Sequence, residues 1–164
     1  MATSKTLAPT NVTISIPAMA DAPDASVFSN CVDKEADAIN ALNSQIGTIV
    51  TGDGNSQSVT IPNATPTSCN QLTLSKGVWL IIGCADWSRG SDGYRQIAFN
   101  SDALNPGRNA CTTTIPIGEK ETYQQVSVLK SVSSSENIIL YATQTNGANL
   151  SVYPFLYAIR IGLG

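Results

Sequence analysis

The chain has 164 residues, none of which is histidine, and only 13% of them are charged. That charged fraction is about half the usual share in soluble proteins. Without histidine, the chain cannot form a Ser-His-Asp triad, a Cys-His nucleophilic pair, a zinc site built on imidazole or a histidine-based pH switch. We therefore expect a protein that is not an enzyme, and we assign no cofactor and no metal ligand.

Long apolar runs and an excess of basic residues are also missing. No apolar segment approaches the ~20 residues needed to cross a bilayer, and Met1–Ala8 lacks the apolar stretch of a secretory signal. The net charge of −3 disfavours nucleic acid and anionic lipid as partners. The sequence therefore predicts no nucleic-acid partner and no membrane insertion.

The four cysteines, Cys31, Cys69, Cys84 and Cys111, include no C-x-x-C pair. This spacing disfavours a zinc ribbon or a redox motif. Because no secretory signal is visible, we expect reduced thiols. A disulfide between Cys69 and Cys111 remains open at this stage.

The first 25 residues are predicted to form an extended arm. Val12, Ile14 and Ile16 alternate with polar residues, which is the period-two pattern of a strand. Pro17 and an Ala-rich stretch separate this segment from the other predicted strands, and a lone strand cannot bury its apolar face. We therefore expect the arm to need a partner surface.

Residues 26–47 are predicted to form the one convincing helix, which Gly47 ends. Val32, Ile39 and Ile46 are spaced seven apart, and Leu42 falls at an intervening heptad position. Two interpretations remain: a surface helix that packs on its own domain, or a short neck where several chains meet.

Residues 48–164 are predicted to be all β, as an antiparallel sandwich or jelly roll of about eight strands. Asn146–Gly147 is typical of a hairpin tip, and Pro154 indicates a bulge or an edge in the last strand. The predicted strands are Ser58–Ile61, Gln71–Leu74, Val78–Trp87, Tyr94–Phe99, Cys111–Ile115, Tyr123–Val132, Asn137–Thr143 and Leu150–Ile161.

Three of these segments, Val78–Ile82, Ile138–Ala142 and Val152–Ile161, are apolar on both faces. An antiparallel strand that is apolar on both faces needs a packing partner on each face. We expect an inner sheet that packs against further copies of the chain; the alternative is that some of these residues face loops. The residues assigned to this subunit interface are Ile139, Tyr141, Tyr153, Phe155 and Tyr157, together with Val32, Ile39, Leu42 and Ile46 of the helix.

Several segments resemble the trimeric jelly-roll heads of the C1q and tumour-necrosis-factor type, in particular those on bacteriophage fibres. They are Leu74–Ile81, Ile138–Gly147, Leu150–Tyr153 and Ala158–Gly162, and Ile39–Gly47 is similar to the neck before such a head. The resemblance implies a homotrimer with an arm (1–25), a helical neck (26–47) and a β head (48–164). It also implies a surface appendage of the virion, assembled in the cytoplasm of a bacterial host.

By the same resemblance, the N-terminus attaches to another virion protein of the tail, baseplate or capsid. Val12, Ile14 and Ile16 are the residues we assign to that attachment, by strand addition. The head then projects outward to meet a glycan or protein of the host surface.

Two aromatic residues, Trp87 and Tyr94, flank a polar loop at residues 88–93. Aromatic rings stack on sugars while Asp and Arg side chains bind hydroxyl groups. The predicted receptor-binding residues are Trp87, Arg89, Asp92, Tyr94 and Arg95. The alternative for Trp87 is a place in the core or at the subunit seam.

The preferred function is therefore that of a tail or baseplate fibre whose head binds a host receptor. A capsid head fibre or decoration protein with a structural role is the first alternative. A secreted C1q/TNF-like ligand is disfavoured by the N-terminus. A hydrolase is disfavoured by the absent histidine and by carboxylates that show no pairing in sequence.

Overall fold

The computed structural model describes residues 3–7, 12–16, 25–90, 93–100, 111–116 and 120–163. Two units follow one another along the chain, Met1–Thr48 and Ile49–Gly162. The boundary falls just after the predicted helix, where the sequence pattern changes from a helical period to that of strands.

The first unit begins with a hairpin. Strand β1 (Thr3–Leu7) pairs antiparallel with β2 (Val12–Ile16), with Thr3 opposite Ile16 and Leu7 opposite Val12. The expectation of an isolated strand was therefore wrong. The alternation in β2 was read correctly as a strand, but the more polar β1 carried too weak a pattern to reveal its partner.

Helix α1 (Ala25–Gln45) confirms the predicted helix to within two residues at each end. Gly47 follows it with a φ of 82°, the left-handed conformation that commonly ends a helix. Of the predicted stripe, Ile39, Leu42 and Ile46 are exposed and Val32 is half-buried. The helix is not apolar enough to span a membrane.

The second unit contains nine strands within the described residues. All eight predicted strands are present, and β3 is an addition that sequence reasoning missed because it has only three residues. The strands are β3 (Ile49–Thr51), β4 (Val59–Ile61), β5 (Thr67–Leu74), β6 (Gly77–Gly90), β7 (Arg95–Phe99), β8 (Cys111–Thr114), β9 (Lys120–Val132), β10 (Glu136–Gln144) and β11 (Leu150–Gly162).

These strands form two antiparallel sheets that face each other. One sheet has the order β3-β11-β6-β9, with β4 also pairing with β11, and the other has the order β5-β10-β7-β8. Successive strands from β5 onward mostly lie in opposite sheets, which is the winding of a jelly roll. The predicted fold class, a mainly β jelly-roll sandwich preceded by one helix, is confirmed.

Two details of the strand prediction need correction. The segment Ile138–Ala142 lies in β10, in the four-stranded sheet, whereas the other two-sided apolar segments lie in β6 and β11 of the five-stranded sheet. The three do not form one inner sheet. For the same reason, Asn146–Gly147 is not the tip of a hairpin, because it carries the chain from one sheet to the other.

Pro154 lies inside a continuous β11, opposite Ala85 of β6. The bulge in this strand falls farther along, between Arg160 and Gly162. Toward its other side, β11 pairs with β4 at residues 150–152 and with β3 at residues 157–159. Pro154 sits in the gap between these two partners, where no strand needs the N–H that proline lacks.

The core fills the space between the sheets. Side chains at alternate positions of β6 (Trp79, Ile81, Ala85 and Trp87) meet Leu140 and Ile97 of the opposite sheet in one buried cluster. A turn at residues 52–57 closes one side, because Oδ1 of the buried Asn70 accepts hydrogen bonds from the backbone N–H groups of Gly54 (2.9 Å) and Gln71 (2.8 Å). Asn70 therefore anchors this turn to the core.

Candidate functional site

The five-stranded sheet turns one face to the core and one face outward. On β6, Gly77 to Trp87 alternate, so that odd-numbered residues are buried inward and Val78, Leu80 and Ile82 point outward and stay half-buried. The register with β11 and β9 places each outward residue of β6 between two other outward residues. The outward face is therefore built of rows that run across the strands.

One row is entirely aliphatic. Ile49, Ile159, Leu80 and Leu129 lie opposite one another across β3, β11, β6 and β9. We call this row the aliphatic ladder. Its outer members are open to solvent in the single chain, Ile49 at 62% and Leu129 at 66% of their full exposure, which is unusual for four aligned large apolar side chains.

The row toward the other end of β6 is polar and aromatic. Asp86 lies between Tyr153 of β11 and Tyr123 of β9. A hydrogen bond shared with the Cys84 side chain, partial burial and the nearby negative charge of Asp86 raise the pKa of Tyr123 to about 12. The Tyr123 hydroxyl therefore stays protonated at neutral pH and can donate a hydrogen bond.

Beside Asp86, the surface is indented. A depression of about 410 Å³, here called the β6 depression, is lined by Asp86, Trp87, Ser88, Arg89, Glu121 and Tyr153. The Ser88 hydroxyl accepts a hydrogen bond from the backbone N–H of Ser151 at 3.0 Å, which fixes the end of β6 against the start of β11. Three strands thus contribute to one concave surface.

An ion pair joins two strands across this surface. Nε of Arg89 lies 3.7 Å from Oε1 of Glu121, and both side chains are mostly exposed. An exposed pair of this kind contributes only ~0–1 kcal/mol to stability. Both charged groups therefore remain available to a ligand.

The structure does not gather all the predicted receptor-binding residues into one site, because only Trp87 and Arg89 line the β6 depression. Trp87 is 1% exposed and its indole is turned into the core, as the alternative interpretation held. Arg95 is also 1% exposed, and its guanidinium donates to the carbonyl of Gly90 at 3.1 Å. Arg95 therefore cannot reach a ligand on the single chain, and Trp87 is only a buried part of the lining of the β6 depression.

The other three predicted residues separate. Arg89 lines the β6 depression and Tyr94 is exposed outside it, while Asp92 lies outside the described residues. Sequence reasoning missed Glu121 and Tyr153. They join Arg89 only through strand pairing, for which the sequence carries no local signal.

The predicted interface residues of the head lie on two different faces. Tyr153, Phe155 and Tyr157 are on the outward face of the five-stranded sheet, which also carries the aliphatic ladder. Ile139 and Tyr141 are half-buried on the outward side of the four-stranded sheet. One flat contact cannot cover both groups.

The described cysteines are free thiols. The Cys69 thiol donates to the carbonyl of Leu140 at 3.2 Å, and Cys111 Sγ accepts a hydrogen bond from Gln96 at 2.7 Å. No disulfide joins Cys69 to Cys111. Among the residues that the structure describes, no three Cys, Asp or Glu side chains gather into a metal-binding group.

No protein-family model and no curated protein matches the sequence. Among solved structures, the chain is similar to the Eiger TNF of S. frugiperda, with 9% identity, a TM-score of 0.50, and coverage of 71% of this chain and 93% of that one. The VP2 subviral particle of infectious bursal disease virus matches at 8% identity and a TM-score of 0.37, over 71% and 38% of the two chains. Sacbrood virus of honeybee matches at 8% identity and a TM-score of 0.31, over 99% and 92%.

The strand order and the likeness to the Eiger structure agree on the class of the larger unit. The larger unit, residues 49–162, is a jelly roll with the strand orders β3-β11-β6-β9 and β5-β10-β7-β8. At 9% identity, this likeness shows the fold alone.

Proposed function

We propose that the chain is the subunit of a homotrimeric virion fibre, without enzymatic activity, whose β head binds a receptor on the host cell surface. The aliphatic ladder is the observation that carries the proposal. It lies on the outward face of the five-stranded sheet, where Ile49 and Leu129 are exposed, and burial of four aligned apolar side chains between copies would stabilise an oligomer.

The helix supports the same proposal. Ile39 and Leu42 of α1 and Ile46, which directly follows the helix, are exposed at heptad spacing. A helix of 21 residues gains most of its stability from packing of its apolar face. Contact between the helices of several copies would supply that packing.

The N-terminal hairpin supports attachment to a second virion protein. A two-stranded sheet has two outer edges, each with backbone N–H and C=O groups that a further strand can pair with. The attachment residues Val12, Ile14 and Ile16 are in β2, so we propose that a strand of the tail, baseplate or capsid adds to this hairpin.

Light scattering on the purified protein tests the oligomer. We expect three times the chain mass of 17.2 kDa. Leu129→Glu places a charge on the aliphatic ladder and should give a folded species with the mass of one chain. Thr73→Glu, at an exposed position of the other sheet, is the matched control and should leave the trimer intact. A wild-type mass of 17.2 kDa would reject the proposal.

The role in attachment needs a separate test. Purified protein should compete with intact particles for adsorption to host cells, because weak sites on a trimer gain from avidity. Trimeric protein that enters particles but does not compete would favour the alternative, a capsid head fibre or decoration with a structural role.

A further inference from the structure

The two ends of the outward sheet face differ in chemistry. A strand rises about 3.3 Å per residue, so the six residues from Leu80 to Asp86 separate the aliphatic ladder from the nearest edge of the β6 depression by roughly 20 Å. The end of the face that carries the aliphatic ladder is suited to a subunit contact that excludes water. The lining of the depression includes two carboxylates, a guanidinium, the hydroxyl groups of Ser88 and Tyr153 and the aromatic residues Trp87 and Tyr153, whereas charged groups are depleted in the core of a subunit interface.

The lining of the depression matches the way proteins bind sugars. Tyr153 is 45% exposed, and an exposed aromatic ring is the usual partner for the C–H face of a pyranose. Asp86 and Glu121 accept hydrogen bonds from hydroxyl groups, and Arg89 donates to ring or hydroxyl oxygens. The volume of about 410 Å³ lies within the ~300–1,000 Å³ typical of ligand sites.

The net charge of the lining limits which class of sugar the depression can bind. Two carboxylates, Asp86 and Glu121, face one guanidinium, that of Arg89, so the lining is negative overall. A carboxylated, sulfated or phosphorylated glycan would meet like charge there. A neutral saccharide meets hydrogen-bond acceptors and donors without that repulsion.

We infer that the β6 depression binds a neutral saccharide, with Tyr153 as the stacking ring and Asp86, Arg89 and Glu121 as hydrogen-bonding partners. The inference rests on the proposed function for its biological meaning, since it names the site and the class of the receptor. It assigns Tyr153 to the ligand instead of to the subunit interface, and it moves the site from the loop at residues 88–93 to the sheet.

Binding to a glycan array that carries neutral and anionic oligosaccharides tests the inference on the full chain. We expect binding to neutral members only. Tyr153→Ala and Asp86→Asn should each weaken that binding about tenfold or more, as expected when a contact to a ligand is lost. Tyr94→Ala removes an exposed aromatic ring outside the depression and is the matched control, with binding unchanged.

Three outcomes would overturn the inference: no binding to any neutral glycan, a preference for anionic glycans, or loss of binding in Tyr94→Ala with full binding in Tyr153→Ala. Each variant is first checked for wild-type mass and melting temperature, and Asp86→Asn, which keeps the shape of the side chain, covers the case in which Tyr153→Ala misfolds. If the monomeric Leu129→Glu variant binds neutral glycans, the saccharide site is upheld even where the proposed trimer is wrong. If the protein is a trimer but binds no glycan, the inferred saccharide site is wrong and the proposed trimer still stands.

Discussion

Nε1 of Trp87 donates a hydrogen bond to Oε1 of Gln124 at 2.8 Å inside the jelly roll. The amide nitrogen of Gln124 in turn donates to the carbonyl of Arg95 at 2.9 Å and to Oγ1 of Thr114 at 3.0 Å. Trp87 and Gln124 belong to the five-stranded sheet, whereas Arg95 and Thr114 belong to the four-stranded one. One buried glutamine thus links the two sheets through polar contacts.

We expect Gln124→Met to lower the free energy of unfolding by about 2–3 kcal/mol or more, because each buried group left without a partner costs ~1–3 kcal/mol. Gln71→Met, at an exposed position of β5, should change it by less than about 0.5 kcal/mol. Urea unfolding followed by tryptophan fluorescence measures both. An equal decrease in the free energy of unfolding of the two variants would show that the hydrogen bonds of Gln124 do not stabilise the fold.

Gly93 and Gly147 form a matched pair for a steric prediction. Their φ angles are 88° and 79°, so an alanine at either position adopts the left-handed conformation, at a cost of ~1–2 kcal/mol. A Cβ at Gly93 would overlap the backbone carbonyl of Thr145, whereas a Cβ at Gly147 would meet nothing within 4 Å. Gly93→Ala should therefore destabilise the fold more, by an added ~1–3 kcal/mol, in thermal or urea unfolding. Losses of the same size would contradict this steric account.

The Cys69 thiol predicts a loss of stability at alkaline pH. Burial raises the pKa of Cys69 to about 12, above the ~8.5 of an unfolded thiol. Because the native state keeps a proton that the unfolded state releases, stability is complete below about pH 8.5 and falls up to pH 12. This one group accounts for about 2 kcal/mol between pH 7 and pH 10.

Cys69→Ala checks that prediction by urea unfolding at the two pH values. The variant should lose about 2 kcal/mol less than the wild type on going from pH 7 to pH 10. Cys84 and the other titrating groups are common to both proteins and cancel in the comparison. An identical pH dependence in both would mean that the Cys69 thiol ionises equally well in the native state.

Removal of residues 1–24 should separate folding from assembly. The head belongs to a different unit from the hairpin, so its thermal transition should be retained. The truncated protein should be missing from purified particles, since β1 and β2 are the proposed attachment. An immunoblot of particles measures this, with a Gly/Ser segment of equal length as the control for chain length. Normal incorporation of the truncated protein would exclude the hairpin as the anchor.

The strands of the jelly roll were predictable because most of them carry a two-residue period or a clear apolar run between turn residues. Thr3–Leu7 and Ile49–Thr51 were missed. The first is too polar and the second too short for a pattern, and both are held by pairing with segments elsewhere in the chain. The sequence also does not predict which sheet each strand joins, because Ile138–Ala142 and Val78–Ile82 are equally apolar on both faces.

The candidate site was predicted only in part. Trp87 is in phase with Trp79, Ile81 and Ala85, so the same alternation that identified β6 already indicated an inward indole and an outward Asp86. That signal was present in the sequence. The convergence of Arg89 with Glu121 and Tyr153 was not, because it depends on a register between segments more than thirty residues apart.

The position of β11 has a consequence for biosynthesis. It lies in the middle of the five-stranded sheet, between β6 on one side and β3 and β4 on the other, yet it is the last of these strands to leave the ribosome. Until it emerges, β3 and β4 have no partner in their sheet, and the apolar inner surface of β6 stays open at one edge. The five-stranded sheet therefore cannot close until β11 has been translated, and a ribosome that stalls within these thirteen residues would release an aggregation-prone chain instead of a smaller folded one.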